Sequence, residues 1–170
     1  MNRSLVSVAL VIFMTVFLSC QCQQEEAVPV DLAIEETAVQ ATMNQFWQSW
    51  ETGDINLLSE VMAHDPDLVT FGTDAAERWV GYEALLAAAE QQFAATESVQ
   101  ITVFDEVFKI HHAGEVAWYS GIADFKGISA GEDFEIGGLR TTGVLEKRDA
   151  KWVIVQFHVS APVSGQLVEY

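Results

Sequence analysis

The chain has 170 residues, of which 50% are hydrophobic and 11% aromatic, and 8 basic against 25 acidic side chains give a formal net charge of −17. This length favours one domain with a substantial core, and the scattered acids indicate a solvated acidic surface. Nucleic-acid binding is disfavoured, because no basic patch is available to release counterions from phosphates.

The first twenty residues predict export. Arg3 precedes an apolar run over 5–18, which is typical of a signal peptide, here residues 1–19. The Leu18-Ser19-Cys20 ending resembles a bacterial lipobox. This resemblance implies lipidation of Cys20 and an exported, membrane-anchored bacterial lipoprotein, facing the periplasm or the cell surface. Ordinary signal cleavage and a Cys20–Cys22 crosslink are the alternatives. A polar tether over 20–30 follows.

Three helices are predicted in the first half of the domain. Asp31 is a suitable N-cap, and apolar residues recur at helical spacing as far as residue 52, where Gly53 ends the helix. Asp54 caps a second helix over 55–63. Short strands at 68–71 and 78–80 precede a third helix over 82–95.

The second half predicts four strands, over 99–111, 115–125, 134–146 and 152–160, with a loop over 126–133. Helices followed by long antiparallel strands indicate an α+β fold. We expect a cone-shaped, strongly curved, mostly antiparallel sheet with about three helices on its concave face. The domain is expected to cover 31–164, followed by a C-terminal tail over 165–170.

The last strand predicts two different faces. Simple alternation places Val153, Val155 and Phe157 together on a wholly apolar face, and the opposite face is mixed. A strand that is largely apolar on both sides is expected to be covered twice. We therefore expect the mixed face to join two copies of the chain. The predicted oligomer face comprises Arg140, Trp152, Ile154 and His158.

Several short motifs resemble one superfamily. They are Trp50-x-x-Gly53-Asp54, Gly72-Thr73-Asp74 followed by Trp79-Val80-Gly81, and Arg140-x-Thr142-x-Val144-Leu145 running into Lys151-Trp152. With them the chain resembles the SnoaL-like branch of the nuclear transport factor 2-like, or cystatin-like, superfamily. The C-terminal hairpin also resembles the association domain of calcium/calmodulin-dependent kinase II. The resemblance implies an apolar pocket under the helices and a homodimer across the convex face.

The predicted pocket is apolar with few polar groups. For ligand binding we expect a cavity of roughly 300 Å³ or more. Asp124 is a weak candidate for a catalytic pocket acid, and a solvated position at the end of its strand is the favoured alternative. The residues expected to line the pocket are Phe46, Trp50, Phe71, Trp79, Phe93, Trp118, Ser120, Ile122, Thr141, Val155 and Phe157.

The groups that known chemistries of this superfamily use are missing. Ketosteroid isomerase chemistry needs a phenol and carboxyl groups. Alignment of the motifs places Phe46 at the phenol position, Phe71 or Gly72 at the base, and Thr142 or Gly143 at the second donor. The arginines that hold carboxylates in the kinase association domain are missing as well, so a ligand held in that way is not expected.

No metal or cofactor is expected. His64 lies in an acidic loop without a second ligand of suitable spacing, and His111 and His112 should point to opposite sides of a strand. Because this fold hosts unrelated functions, three alternatives stay open. They are an exported, lipid-anchored domain that binds a small apolar or amphipathic molecule, an isomerase, cyclase or hydratase using Asp124, and an oligomerisation module without a ligand.

Overall fold

The computed structural model describes residues 29–165. The predicted signal peptide, Cys20 with most of the tether, and residues 166–170 lie outside this range. The helices are α1 (Leu32–Thr52), α2 (Ile55–Val61) and α3 (Tyr82–Ala95). The strands are β1 (Val69–Phe71), β2 (Arg78–Val80), β3 (Thr96–Ile110), β4 (Val116–Ser129), β5 (Glu132–Arg148) and β6 (Lys151–Ser160). Between residues 29 and 165, no helix has the length and hydropathy needed to cross a membrane.

Local signals define the starts of α1 and α2 and the end of α1 as the sequence predicts. The Asp31 carboxylate accepts the first free amides of α1, and the Asp54 carboxylate does the same for α2. These bonds satisfy donors that have no partner within the helix. Gly53 ends α1 with φ 65°, a left-handed conformation that glycine adopts without a side-chain clash.

Several boundaries differ from the prediction, because strand pairing reaches beyond the local pattern; β3, for example, begins at Thr96 and not at residue 99. Helix α2 ends earlier than expected, since the Ala63 amide donates to the Ile154 carbonyl at 2.9 Å and draws the chain onto the sheet. The predicted loop over 126–133 is mostly strand. Strands β4 and β5 extend toward each other as far as a tight turn at Ala130 and Gly131, both with positive φ.

The strands form one sheet in the order β2-β1-β6-β5-β4-β3. All neighbours are antiparallel except β1 and β6, which are parallel. Asp149 and Ala150, both with positive φ, form the two-residue turn that joins β5 to β6, and such turns match the right-handed twist of the strands. The predicted α+β class, with three helices and a mostly antiparallel sheet, is confirmed.

The sheet has an inner face, against which the helices pack, and an outer face on the opposite side. A bulge in β6 decides which residues lie on each, because the register passes from Val144 opposite Gln156 to Leu145 opposite Ile154. The extra residue shifts the alternation by one position. Even-numbered residues before the bulge, such as Ile154, and odd-numbered residues after it, such as Phe157, can therefore both point inward.

The predicted orientation of β6 is consequently wrong in its first half. Trp152 and Ile154 are 5% and 0% exposed and belong to the core, whereas we expected them on the oligomer face. Val153 and Val155 point outward instead. Beyond the bulge, Phe157 points inward as predicted. Arg140 and His158 lie on the outer face, where the sequence placed them, and the Arg140 guanidinium donates to the Ala161 carbonyl.

Candidate functional site

A cavity of about 210 Å³ lies between the inner face, α1, α3 and the β1–β2 hairpin. It is smaller than the expected volume, so it would take a correspondingly small ligand. Its aromatic lining is Phe46, Trp47, Trp50, Phe71, Trp79, Phe125 and Phe157. The aliphatic lining is Met62, Leu85, Ala88, Ala89, Ile136, Leu139 and Val159, and the remaining residues are Thr70, Gly72, Thr73, Glu77 and Gln92.

Five of the predicted lining residues border this cavity: Phe46, Trp50, Phe71, Trp79 and Phe157. Phe46 and Phe157 are in direct contact, with ring centroids 4.5 Å apart. Phe71 reaches the cavity at its edge, since its ring also contacts His158 of the neighbouring strand. The aromatic part of the predicted pocket is thus supplied by α1, the hairpin and β6 beyond its bulge.

Four predicted lining residues lie on the outer face: Trp118, Ser120, Ile122 and Val155. The predicted orientation of β4 is wrong, because the inner face of this strand carries Ala117, Tyr119, Gly121 and Ala123. The bulky residues Trp118 and Ile122 suggested the opposite orientation. Small residues belong inside here because the aromatic side chains of α1 and β6 already occupy the space above them.

Phe93 and Thr141 point inward without lining the cavity. Phe93 packs behind Trp50, with ring centroids 5.0 Å apart. The Thr141 hydroxyl donates to the Gly121 carbonyl at 2.9 Å and lies 3.4 Å from the Tyr119 hydroxyl oxygen. Burial raises the pKa of Tyr119 to about 12, so the phenol is neutral at ordinary pH. Glu106 turns inward beside this group at a bulge, where Asp105 has φ 52°.

Asp124, the candidate pocket acid, lies on the exposed outer face and does not border the cavity. Its carboxylate accepts the Gly138 amide at 2.7 Å. This bond closes a bulge between β4 and β5, where the register passes from Ala123 opposite Leu139 to Phe125 opposite Ile136. Asp124 therefore has a structural position, and the enzymatic alternative loses the residue on which it depended.

Sequence reasoning missed several lining residues, notably Trp47, Thr70, Glu77, Gln92 and Phe125. Gln92 lies one helical turn after Ala88 on α3, and this spacing offered a signal for it. Phe125 follows from Tyr119 by strand alternation once the orientation of β4 is known. Thr70 and Glu77 come from the β1–β2 hairpin, and only the tertiary structure brings that hairpin to the cavity.

Three polar groups of the cavity lining are buried and have no hydrogen-bond partner among the residues described: the indole nitrogens of Trp47 and Trp50 and the Thr70 hydroxyl. Thr70 is only 4% exposed. Of these, the Trp47 indole nitrogen lies near the Tyr119 hydroxyl and tends to lower the pKa of that phenol, against the larger effect of burial. Such orphaned groups are uncommon in folded proteins, because each costs about 1–3 kcal/mol when it stays unpaired.

The Trp152 indole, expected at an oligomer contact, holds α1 to β6 instead. Its N–H donates to one oxygen of Glu35 at 2.9 Å, and Lys147 donates to the other at 2.6 Å. The hydrogen bond from Lys147 holds the pKa of Glu35 below its ordinary value, against the opposing effect of burial. This arrangement lies at the start of α1, whereas the cavity is lined by residues of its C-terminal half.

Within residues 29–165, no cluster of three or more metal-ligating side chains is present. The prediction that His111 and His112 point apart is wrong, because their ring centroids are 4.0 Å apart. Strand β3 ends at Ile110, so the strict alternation of a strand does not reach this pair. His64 stacks on Tyr82, with centroids 4.0 Å apart.

This arrangement, with a mostly antiparallel sheet wrapped against helices and an apolar cavity between them, is that of the nuclear transport factor 2-like, or cystatin-like, fold. The family model of the SnoaL-like domain matches residues 39–164. The chain belongs to this family. No curated protein matches the chain significantly.

Solved structures of this fold are similar to the chain at low sequence identity. A nuclear transport factor 2-like superfamily protein from Salmonella enterica has a TM-score of 0.72 at 14% identity, over 82% of this chain and 99% of that one. A candidate dehydratase of the same family from Streptomyces avermitilis has 0.70 at 16%, over 78% and 99%. A candidate calcium/calmodulin-dependent protein kinase II association domain from Xanthomonas campestris has 0.63 at 23%, over 75% and 87%. At these identities the likeness shows the fold.

Proposed function

We propose that this SnoaL-like domain binds a small amphipathic molecule in the cavity between the sheet and its helices. The observation that carries the proposal is the set of buried polar groups on Trp47, Trp50 and Thr70, without partners among the residues described, within a mostly apolar lining. A cavity that is mostly apolar, with a few polar groups, is the usual form of a small-molecule site.

The cavity volume limits the size of the ligand. An apolar cavity of about 150 Å³ holds benzene in other proteins, so 210 Å³ suits a monocyclic body of roughly eight to ten non-hydrogen atoms. Burial of such a body supplies the hydrophobic part of the affinity. The indole N–H of Trp50 needs an acceptor, and the Thr70 hydroxyl can donate or accept. The ligand should therefore carry an oxygen or another acceptor on its apolar body.

A ligand-detected NMR titration with 2-phenylethanol tests this proposal. We expect saturable binding to the wild type and at least a ten-fold weaker affinity for Ala88→Phe, because Ala88 lines the cavity and the added ring occupies its volume. Ala87→Phe is the matched control, since Ala87 is next to Ala88 on α3 but is exposed and does not line the cavity. Equal binding by both variants would place the ligand elsewhere.

We also propose that the outer face joins two copies of the domain. Three large apolar side chains on this face are substantially exposed: Phe104 at 40%, Val107 at 51% and Trp118 at 47%. They occupy neighbouring strands, since Phe104 is paired with Ile122 and Val107 with Ser120. Burial of such a patch against its own copy would give a two-fold contact.

We also propose that lipidation of Cys20 anchors the domain to a membrane. It rests on the lipobox-like ending of the apolar segment, since these residues lie outside the described range. Stable membrane attachment needs more than one acyl chain, which lipidation of an N-terminal cysteine supplies. Substitution Cys20→Ala should move the protein from the membrane fraction to the soluble fraction of its host. An unchanged distribution would exclude the anchor.

A further inference from the structure

The described part of the cavity lining contains one ionisable side chain, and it is an acid. Glu77 is the one ionisable residue in the part of the lining that the structure describes, and neither lysine nor arginine nor histidine borders the cavity there. Seven aromatic side chains surround the same space. Aromatic faces attract cations and a carboxylate binds them directly. We infer that the ligand of this site is a small organic cation, an apolar body that carries an ammonium group for Glu77 and the acceptor required by the Trp50 N–H; this rests on the binding function proposed above.

The β1–β2 hairpin holds the Glu77 carboxylate in place. Oxygen Oε2 accepts the Asp74 amide at 3.0 Å and lies 3.4 Å from the Thr73 hydroxyl. Oxygen Oε1 accepts no hydrogen bond from the residues described, and Glu77 forms no ion pair with them. One carboxylate oxygen is thus used to position the group, and the other has no partner among these residues.

Gly72 makes this position possible. A Cβ on Gly72 would collide with the Glu77 carboxylate, so only glycine leaves room for the acid to fold back over the strand. The Gly72 amide donates to the Glu77 carbonyl at 2.9 Å, which closes the hairpin around the pair. The Gly72-Thr73-Asp74 segment therefore has a purpose beyond turning the chain, because it places a partly buried acid at the cavity.

The remaining charges agree with a cationic ligand. The net charge of −17 attracts cations and repels anions over the whole surface. The nearest basic side chain on the hairpin is Arg78, whose guanidinium carbon lies 5.9 Å from the centroid of the Phe71 ring. Arg78 is exposed and does not border the cavity, so an anion in the cavity would face Glu77 without a compensating charge.

Three ligands of matched shape, each with a benzylic hydroxyl as an acceptor, test the inference: the amine 2-hydroxy-2-phenylethylammonium, the neutral alcohol 1-phenyl-1,2-ethanediol and anionic mandelate. Protein produced from the full chain and held in lipid nanodiscs is titrated with each, and binding is followed by tryptophan fluorescence, since Trp47, Trp50 and Trp79 line the cavity. We expect the amine to bind at least about ten-fold more tightly than the alcohol, as for a charge-assisted hydrogen bond. Mandelate should bind most weakly.

Two variants show whether Glu77 is responsible. Glu77→Gln keeps an acceptor for the Asp74 amide and removes the charge, so the ratio of amine affinity to alcohol affinity should fall to about one. Gly72→Ala should have the same effect, because it displaces the carboxylate. Glu90→Gln is the matched control, as it removes an exposed acid from α3 outside the cavity, and it should keep the wild-type ratio.

The outcomes separate this inference from the proposed function. If the alcohol binds at the Ala88-sensitive site and the amine has no advantage, or if Glu77→Gln leaves that advantage intact, the cationic ligand class is wrong and the binding site stands. Tightest binding of mandelate would likewise overturn it and would indicate pairing with Arg78. If none of the three ligands binds, the proposed function fails, and this inference fails with it.

Discussion

Substitution of Trp152 by phenylalanine tests whether this side chain belongs to the core or to a subunit contact. Trp152 is 5% exposed, and its indole N–H donates to Glu35 at 2.9 Å. The change removes a hydrogen bond to a charged group, worth about 1.5–3 kcal/mol, and leaves a small void, worth about 1 kcal/mol. Lys147 still neutralises Glu35, which reduces the loss. We expect the free energy of unfolding to fall by about 2–3 kcal/mol.

Urea denaturation followed by circular dichroism provides the measurement. With a denaturant dependence of about 1–3 kcal/mol per molar, the expected loss lowers the midpoint by roughly 1–2 M. Trp118→Phe is the matched control, since the same chemical change is made at a side chain that is 47% exposed on the outer face. It should change the unfolding free energy by less than about 0.5 kcal/mol. Two protein concentrations separate any contribution from subunit association.

Equal effects of the two substitutions would refute this reasoning. So would a Trp152→Phe protein that loses half its mass on a sizing column while its midpoint stays unchanged at low concentration. Either result would mean that Trp152 faces a partner, as simple alternation along β6 suggested, and that the bulge does not reorient the first half of the strand.

Three further predictions follow from the same structure. Ile154→Ala should lower the free energy of unfolding by about 2–5 kcal/mol, because the side chain is fully buried. Val155→Ala should lower it by less than about 1 kcal/mol in the same denaturation assay, because Val155 is the extra residue of the bulge and points outward. Trp118→Glu should give monomers by light scattering, with the far-ultraviolet spectrum unchanged; an undiminished mass would disprove the outer-face dimer. The folded-state pKa of Glu35 is below its ordinary 4.5, so its stabilising contribution is present above pH 4.5 and is lost as the pH falls through the lower folded value. Glu35→Gln should therefore be less stable at pH 7 and lose less stability on acidification, and parallel acid sensitivity would contradict this assignment.

Much of the fold could be predicted from the sequence because its signals are local. The caps Asp31 and Asp54 and the terminator Gly53 act within a few residues, and they mark the same helix starts in the sequence and in the structure. The helical spacing of Phe46 and Trp50 likewise predicts two cavity-lining side chains, since both lie on the face of α1 that meets the sheet. Helix geometry carries such inferences reliably over short distances.

Strand orientation could not be predicted in the same way. Alternation along a strand identifies two sets of residues but does not say which set points inward when both are apolar, as in β4. In β6 a single bulge exchanged the sets midway, and that bulge exists only through pairing with β5. For this reason simple alternation predicts the wrong face for both Trp118 and Trp152.

Sequence alone determined the class of fold, the helix starts and an aromatic-rich interior, because those properties depend on composition and on contacts between near neighbours. The tertiary structure decided which strand faces line the cavity, and it brought Thr70 and Glu77 of the short hairpin to the side chains of α1 and α3. That step depends on pairing between residues far apart in the chain, such as β1 with β6. The charge of the cavity, and with it the class of ligand we propose, follows from this long-range pairing.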